Sequence, residues 1–190
     1  MRLALMIEGQ EGVTWQDWCA LADACEEHGV DTLFRSDHYI SQGDEARNVA
    51  HDAWTTIAAL AARTSTLRFG TLVSPATFRA PGLLANAAAT ADHVSGGRIE
   101  LGLGAGWMER EHRAYGFPFP EMSERLARFA VRRWALLRGG FRRPPASRSA
   151  PTLRRKASMR LMTLAGSRSF GASIFSPACF FFNSSFNASS

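Results

Sequence analysis

Between residues 131 and 190 there is not a single aspartate or glutamate. That segment carries ten arginines and the only lysine of the chain, whereas residues 1–130 hold 11 arginines against all 17 acids. The formal charge of +5 therefore hides an acidic body and a strongly basic tail. Without a recognisable module such a tail attracts polyanions only through salt-sensitive charge, which is no basis for a specific nucleic-acid or membrane partner. Cysteine is scarce too. Cys19, Cys25 and Cys179 are odd in number and lack framework spacing, and the first two, six apart on one helix, lie roughly 240° around it. A disulfide-stapled scaffold is excluded, and the thiols read as reduced, in a cytoplasmic protein. Long apolar runs are missing as well. LALMI is cut short by Glu8 before it reaches signal-peptide length, and no run approaches the ~20 residues of a membrane span. What remains is 190 residues, 46% of them hydrophobic, enough for one core and at most a small second one.

Within that body, apolar segments and helical patterns alternate. Residues 2–8, RLALMIE, have strand alternation ending at Gly9 and place the Glu8 carboxylate at the strand's carboxyl end. Thr14 followed by Asp17 resembles a capping box, because the hydroxyl accepts an orphan amide and the acid suits the positive helix end. The helix it opens runs to His28, where Gly29 stops it. Residues 30–35 form a second strand that delivers Ser36, Asp37 and His38 at its end. Asp52 is an N-cap for an Ala-rich helix through Ala62. Residues 67–74 are the third strand, which Pro75 ends because proline cannot donate to a ladder. Pro81 suits the first turn of a helix through Asp92 that breaks at Ser95, Gly96 and Gly97.

The stretch RIELGLGAGWMEREHRAYG, residues 98–116, organises the rest. Ile99, Leu101 and Leu103 share one face, while Glu100, Gly102 and Gly104 leave the other nearly bare. Glycine weakens a strand unless a ligand or another backbone comes close, so Gly102, Gly104 and Gly106 predict a strand end beneath a bound group. Four strands alternating with helices specify parallel, right-handed βα units rather than a sandwich or a bundle. After Gly116, Ser123 can cap a helix carrying Leu126, Phe129, Trp134 and Leu137, which Gly139 and Gly140 end. Periodicity then disappears. Residues 141–190 are a Ser/Pro/Phe-rich basic mixture expected to be disordered or loosely packed.

Four motifs converge: SDHY after strand two, TLVSPATFRAP from strand three into its helix, SGGRIELGLGAGW across strand four, and EHRAYGFPFP beyond it. Together they resemble the bacterial luciferase-like superfamily of flavin- and deazaflavin-dependent oxidoreductases (LLM class), particularly its coenzyme F-420 branch, over residues 1–130. The resemblance implies a TIM-type barrel with its chemistry at the carboxyl ends of the strands. Eight βα units need about 250 residues, so the expected fold is α/β, the N-terminal half of a (βα) barrel over residues 1–140. The tail after it, 141–190, has the look of a reading-frame change or foreign terminus, a divergent extension being the alternative.

On the residues alone, Asp37 can cap a turn and His38 can be a satisfied surface residue. The resemblance instead implies that both lie beside the cofactor ring, with His38 as the catalytic candidate for proton transfer, work its ordinary pKa suits. It also matches Thr71 and Leu72 to a place where the family often has a non-prolyl cis peptide supporting that ring. Ser74 and Pro75 are the more conventional cis position. Gly104, Ala105, Gly106 and Trp107 are implied to set their backbone against the cofactor. Their GxGxG is no dinucleotide fingerprint, because the third glycine comes one residue early and no small-residue helix follows. Trp107 stands where the sugar-phosphate dehydrogenases of the family carry a glutamate, which favours an apolar substrate wall. Glu109, Glu111 and His112 lack the same-face spacing of metal ligands, so no metal is expected; Glu111 and His112 rather brace the loop above the barrel. Arg79 and Pro81 fix the start of the third helix, and Arg79 could also reach an anionic cofactor tail.

The expected function is therefore hydride transfer with coenzyme F-420, or monooxygenation with FMN, on a small and apolar substrate. Turnover is expected to be weak, because later barrel units hold much of the family's phosphate site. A half barrel also leaves the edges of strands one and four open, which invites self-association. The alternative is a non-catalytic half barrel whose tail binds polyanions nonspecifically.

Overall fold

A computed structural model describes residues 2–43, 50–138, 160–163 and 182–183. In chain order the elements are β1 (Ala4–Ile7), α1 (Trp15–Glu27), β2 (Thr32–Arg35), α2 (Ala53–Arg63), β3 (Arg68–Pro75), α3 (Pro81–Val94), β4 (Ile99–Gly104), α4 (Glu109–Tyr115), α5 (Met122–Arg138), β5 (Arg160–Thr163) and β6 (Phe182–Asn183). The sheet order follows the chain, β1 through β6. Strands β1 to β5 pair in parallel, and β6 runs antiparallel to β5. Four parallel βα units in sequential order are the first half of a TIM-type barrel.

Local chemistry sets the helix limits. Thr14 and Asp17 close a reciprocal capping box, with Thr14 Oγ1 accepting the Asp17 amide at 3.2 Å and Asp17 accepting the Thr14 amide at 2.9 Å. Asp52 accepts the Thr55 amide at 2.9 Å and starts α2. At the far end of α2, Arg98 donates to the carbonyls of Ala61 (2.6 Å) and Thr64 (2.9 Å), which the helix end leaves unpaired, and to that of Leu67 (2.5 Å) just before β3. Helix α5 begins at Met122, one residue before the expected cap: Ser123 lies inside the first turn, and the Glu121 carbonyl accepts the Arg125 amide.

The core lies between the sheet and helices α1 to α3. Ile99, Leu101 and Leu103 are fully buried there with Leu33, Phe69, Trp18, Ile57, Leu60 and Leu84. Each of the three β4 side chains contributes about 1.5–3 kcal/mol by leaving water. Opposite faces of β4 therefore do different work, as the alternation predicts.

Two corrections concern the sheet edges and the tail. The outer edge of β4 is not open, because β5 pairs with it from Glu100↔Arg160 to Leu103↔Thr163. Both β5 and β6 fall in the segment expected to lack strands. The rest of that segment, and the expected disorder, lie outside the described residues. At the other edge, Leu5 of β1 and Leu3 just before it are exposed. Among the described residues no helix is long and apolar enough to cross a membrane.

Candidate active site

Parallel register brings Ile7, Arg35 and Thr71 level across β1, β2 and β3, and Thr71 level with Leu101 of β4. The residues that follow these positions, from Glu8, Asp37 and His38 to Leu72 and the Gly104–Trp107 turn, consequently meet at one end of the sheet. Polar punctuation after each strand was the sequence signal for this gathering.

Asp37 is buried and tied down on both oxygens. Arg79 donates to Oδ2 at 2.5 Å and to Oδ1 at 3.0 Å, and the Ser74 hydroxyl lies 2.6 Å from Oδ2. The same guanidinium reaches the Tyr39 hydroxyl (2.5 Å) and Asp52 Oδ2 (2.7 Å). Burial opposes ionisation of Asp52, but the Thr55 amide and Arg79 outweigh it and hold the carboxyl at about 2. Arg79 thus does more than start α3: it staples the β2 end to the helix caps of α2 and α3. Ser74 also receives the indole N–H of Trp54 at 3.0 Å, extending the staple into the core.

His38 keeps one ring nitrogen without a hydrogen-bond partner among the described residues. Its Nδ1 lies 2.7 Å from Glu111 Oε2, while Nε2 has no hydrogen-bond partner among the described residues. Glu111 Oε1 accepts the Tyr39 amide as well. The imidazole meets Trp107 edge-on at 5.7 Å and Phe78 at 6.5 Å. Burial pushes the His38 pKa down, but the hydrogen bond and charge of Glu111, with Glu8 and Asp37 behind, hold it above the ordinary histidine value. His112 is the contrast. Its Nδ1–H donates to the Met108 carbonyl at 2.7 Å, Nε2 accepts from the Thr77 hydroxyl at 2.6 Å, and desolvation holds its pKa down. Both its nitrogens are engaged, so it braces the turn, as expected of EREH.

On the bare face of β4 the close approach comes from β3. A Cβ on Gly102 would stand 2.0 Å from the Thr71 carbonyl oxygen, and one on Gly104 would stand 2.5 Å from Val73 Cγ2. The β3–β4 register shifts between Thr71 and Ser74, and this bulge of β3 fills the space beside Gly102 and Gly104. Thr71 itself is fully buried and donates its hydroxyl to the Gly102 carbonyl at 3.0 Å. A non-prolyl cis bond is present at Leu72–Val73, one bond beyond the Thr71–Leu72 pair, and Ser74–Pro75 is trans. Half-buried Leu72 and Val73 remain at the surface of the bulge. Ala105 is buried, Gly106 takes φ 87° beside Thr77 and His112, and Trp107 is 41% exposed at the rim. Arg125 of α5 holds this turn through the Gly106 carbonyl at 2.6 Å.

Tyr39, Ser74 and Arg125 join the site from positions to which the motifs gave no role, and Glu111, expected to brace the loop, also contacts His38. EHRAYG carried a signal for Glu111, but Glu109, two residues earlier, reads the same and is exposed.

Residues 2–131 match the family model described as luciferase-like monooxygenase. The chain belongs to this family. Among relatives of the luciferase-like chain, an F-420-dependent glucose-6-phosphate dehydrogenase of Amycolatopsis mediterranei is 36% identical over 116 residues, which are 60% of this chain and 34% of the relative. The monooxygenase RslO1 of Streptomyces bottropensis superposes with a TM-score of 0.65 at 23% identity, covering 87% of this chain and 54% of its own. The oxygenating constituent of 3,6-diketocamphane monooxygenase from Pseudomonas putida, solved with FMN, gives 0.58 at 19% identity, covering 72% and 38%. At these identities the structural likenesses speak for the fold. The chain spans about a third of the length of the curated relatives it matches.

A flavin or deazaflavin ring fits part of what is present. Leu72, Val73 and Trp107 offer an apolar wall, and His38 one proton-carrying group beside it. The anionic arm of such a cofactor finds less: Arg79 is already closed on Asp37 and Asp52. Among the described residues no cluster of three or more His, Cys, Asp or Glu could hold a metal ion.

Proposed function

We propose that this luciferase-like chain forms the ring side of an oxidoreductase site for coenzyme F-420, with FMN as the alternative. His38 exchanges the proton, and Leu72, Val73, Gly104, Ala105, Gly106 and Trp107 line the ring and the substrate. The observation that carries the reading is the His38–Glu111 pair, which leaves one imidazole nitrogen unengaged at the common strand end. When bound, the deazaflavin supplies hydride chemistry, or FMN supplies oxygen activation, and the protein supplies orientation and the proton. Asp37 acts behind this surface, holding Arg79 and the β2 end in place.

The substrate is small and apolar. Several relatives are glucose-6-phosphate dehydrogenases by name, yet an indole at position 107 provides neither charge nor strong hydrogen bonding for a phosphorylated sugar. Free Cys19 and Cys25 support a cytoplasmic setting. The 190-residue chain turns over weakly by itself, because the described residues wall the ring but leave its anionic arm unheld. The β1 edge, with Leu3 and Leu5 exposed, favours self-association.

Titration of the purified chain with F-420 and with FMN, followed by reduction and reoxidation assays beside His38→Ala, tests this reading. Weak binding of F-420, with slow turnover that His38→Ala abolishes, is expected. Binding of neither cofactor, or turnover indifferent to His38, would refute it; tight binding with fast turnover would refute the weak-activity part alone.

A further inference from the structure

Glu111 pairs with His38 in the proposed function, and its own contacts say what that pairing does. Helix α4 seats its fully buried carboxylate between two donors of the β2 end, His38 Nδ1 at 2.7 Å and the Tyr39 amide. An ionised carboxylate only accepts, so the proton of the His38 contact sits on Nδ1. The edges of Trp107 and Phe78, at 5.7 and 6.5 Å, pack on the ring from two further elements. The other charged or titratable groups facing the imidazole are Glu8 at the end of β1, Asp37 beyond β2, and His112 of α4. Asp37 is neutralised by Arg79, and His112 has both nitrogens engaged. Of these groups Glu111 alone touches the ring through a hydrogen bond.

We propose that Glu111 is the positioning residue of this site: by accepting the Nδ1 proton it fixes the tautomer of His38, so that Nε2 is the atom at which the proton is exchanged. The inference rests on the proposed role of His38, but its geometry is that of the chain alone. Glu111→Gln is the informative change. A glutamine carbonyl still accepts the Tyr39 amide, while its NH2 turns toward Nδ1 as a donor. The neutral imidazole must then accept at Nδ1 and carry its proton on Nε2, the reverse tautomer.

Nitrogen NMR of the full chain with 15N-labelled histidine, titrated with pH and assigned by the signal lost in His38→Gln, reads this without any cofactor. Neutral wild-type His38 is expected to show a protonated Nδ1 and a bare Nε2. In Glu111→Gln the pattern should invert, and the titration midpoint should fall by about one pH unit, a tenfold loss of proton affinity. A wild-type neutral form protonated at Nε2 overturns the proposal and needs no variant, so the test survives a Glu111→Gln chain that fails to fold. A folded Glu111→Gln with lowered thermal stability but unchanged tautomer and midpoint overturns it too, since that is what a merely structural brace would give. Absence of His38-dependent turnover would count against the proposed function and leave the tautomer result standing.

Discussion

Replacing Gly102 by alanine should cost this fold far more than one methyl group suggests. The added carbon would sit 2.0 Å from the Thr71 carbonyl oxygen and 3.0 Å from Val73 Cγ1. Backbone is the obstacle on the near side, so no rotamer change relieves it; β3 and β4 must separate at the pairing that holds the site end together. Separation also stretches the 3.0 Å hydrogen bond from Thr71 Oγ1 to the Gly102 carbonyl. Overpacking against adaptable side chains costs about 1–3 kcal/mol, and a rigid neighbour places this change at the upper end, about 3 kcal/mol. Against a total of about 5–15 kcal/mol, that is a large share. Urea unfolding followed by far-ultraviolet circular dichroism measures it: with a slope of about 1.5 kcal/mol per molar, the midpoint should fall by about 2 M. Gly82→Ala is the matched control, because a Cβ there meets nothing within 4 Å and the residue lies in the first turn of α3. It should be neutral or stabilise by up to about 1 kcal/mol. A Gly102→Ala chain that unfolds with wild type would show that the β3 bulge yields readily, and that the glycines of β4 are required by something other than packing.

Other expectations are as direct. Arg79→Met leaves the carboxylate of Asp37, buried beside Ser74, without its cation, and should destabilise by about 3–5 kcal/mol. Adding Asp37→Asn should recover part of that in urea titrations, and a single-variant loss below about 1 kcal/mol would contradict the staple. Acid should weaken the fold in two stages. Neutral His112 has a lowered folded pKa, so its contribution is full above about 6.5 and is lost as pH falls through that lowered value. Glu26, whose desolvation is outweighed by the Thr66 and Leu67 amides, and Asp52 both sit at about 2, so theirs is full above the ordinary carboxyl range and lost on falling toward 2. His38 has the opposite sign: its raised pKa adds stability below about 6.5 that is lost as pH rises through the folded value. Thermal midpoints from pH 8 to pH 2 should show these slopes, and Glu26→Gln should flatten the limb below about pH 4.5; an unchanged limb would remove Glu26 from the account.

The order of the first four βα units, the caps Thr14 and Asp52, and the strand ends that carry Asp37, His38 and Trp107 were readable in residues 1–130, whereas the cap expected at Ser123 lies inside α5. Each rests on short-range chemistry: alternation in β4, the Thr14–Asp17 box, Asp52 before an Ala-rich helix, Pro81 in a first turn. Those signals act within a few residues, so chain order alone reveals them. Tertiary contact decided the rest. Glu109 and Glu111 are the same residue type two positions apart, yet α4 turns one to solvent and buries the other against His38. Arg79 could equally have faced an anion; the arrival of Asp37 and Asp52 from two other loops commits its guanidinium. Gly102 and Gly104 announced a close approach but not by what, and the bulge of β3 supplies the partner. The pairing of β5 with β4 lay beyond periodicity as well. In each case the deciding partner lies far off in the chain, and burial and charge depend on what packs against a residue rather than on what precedes it.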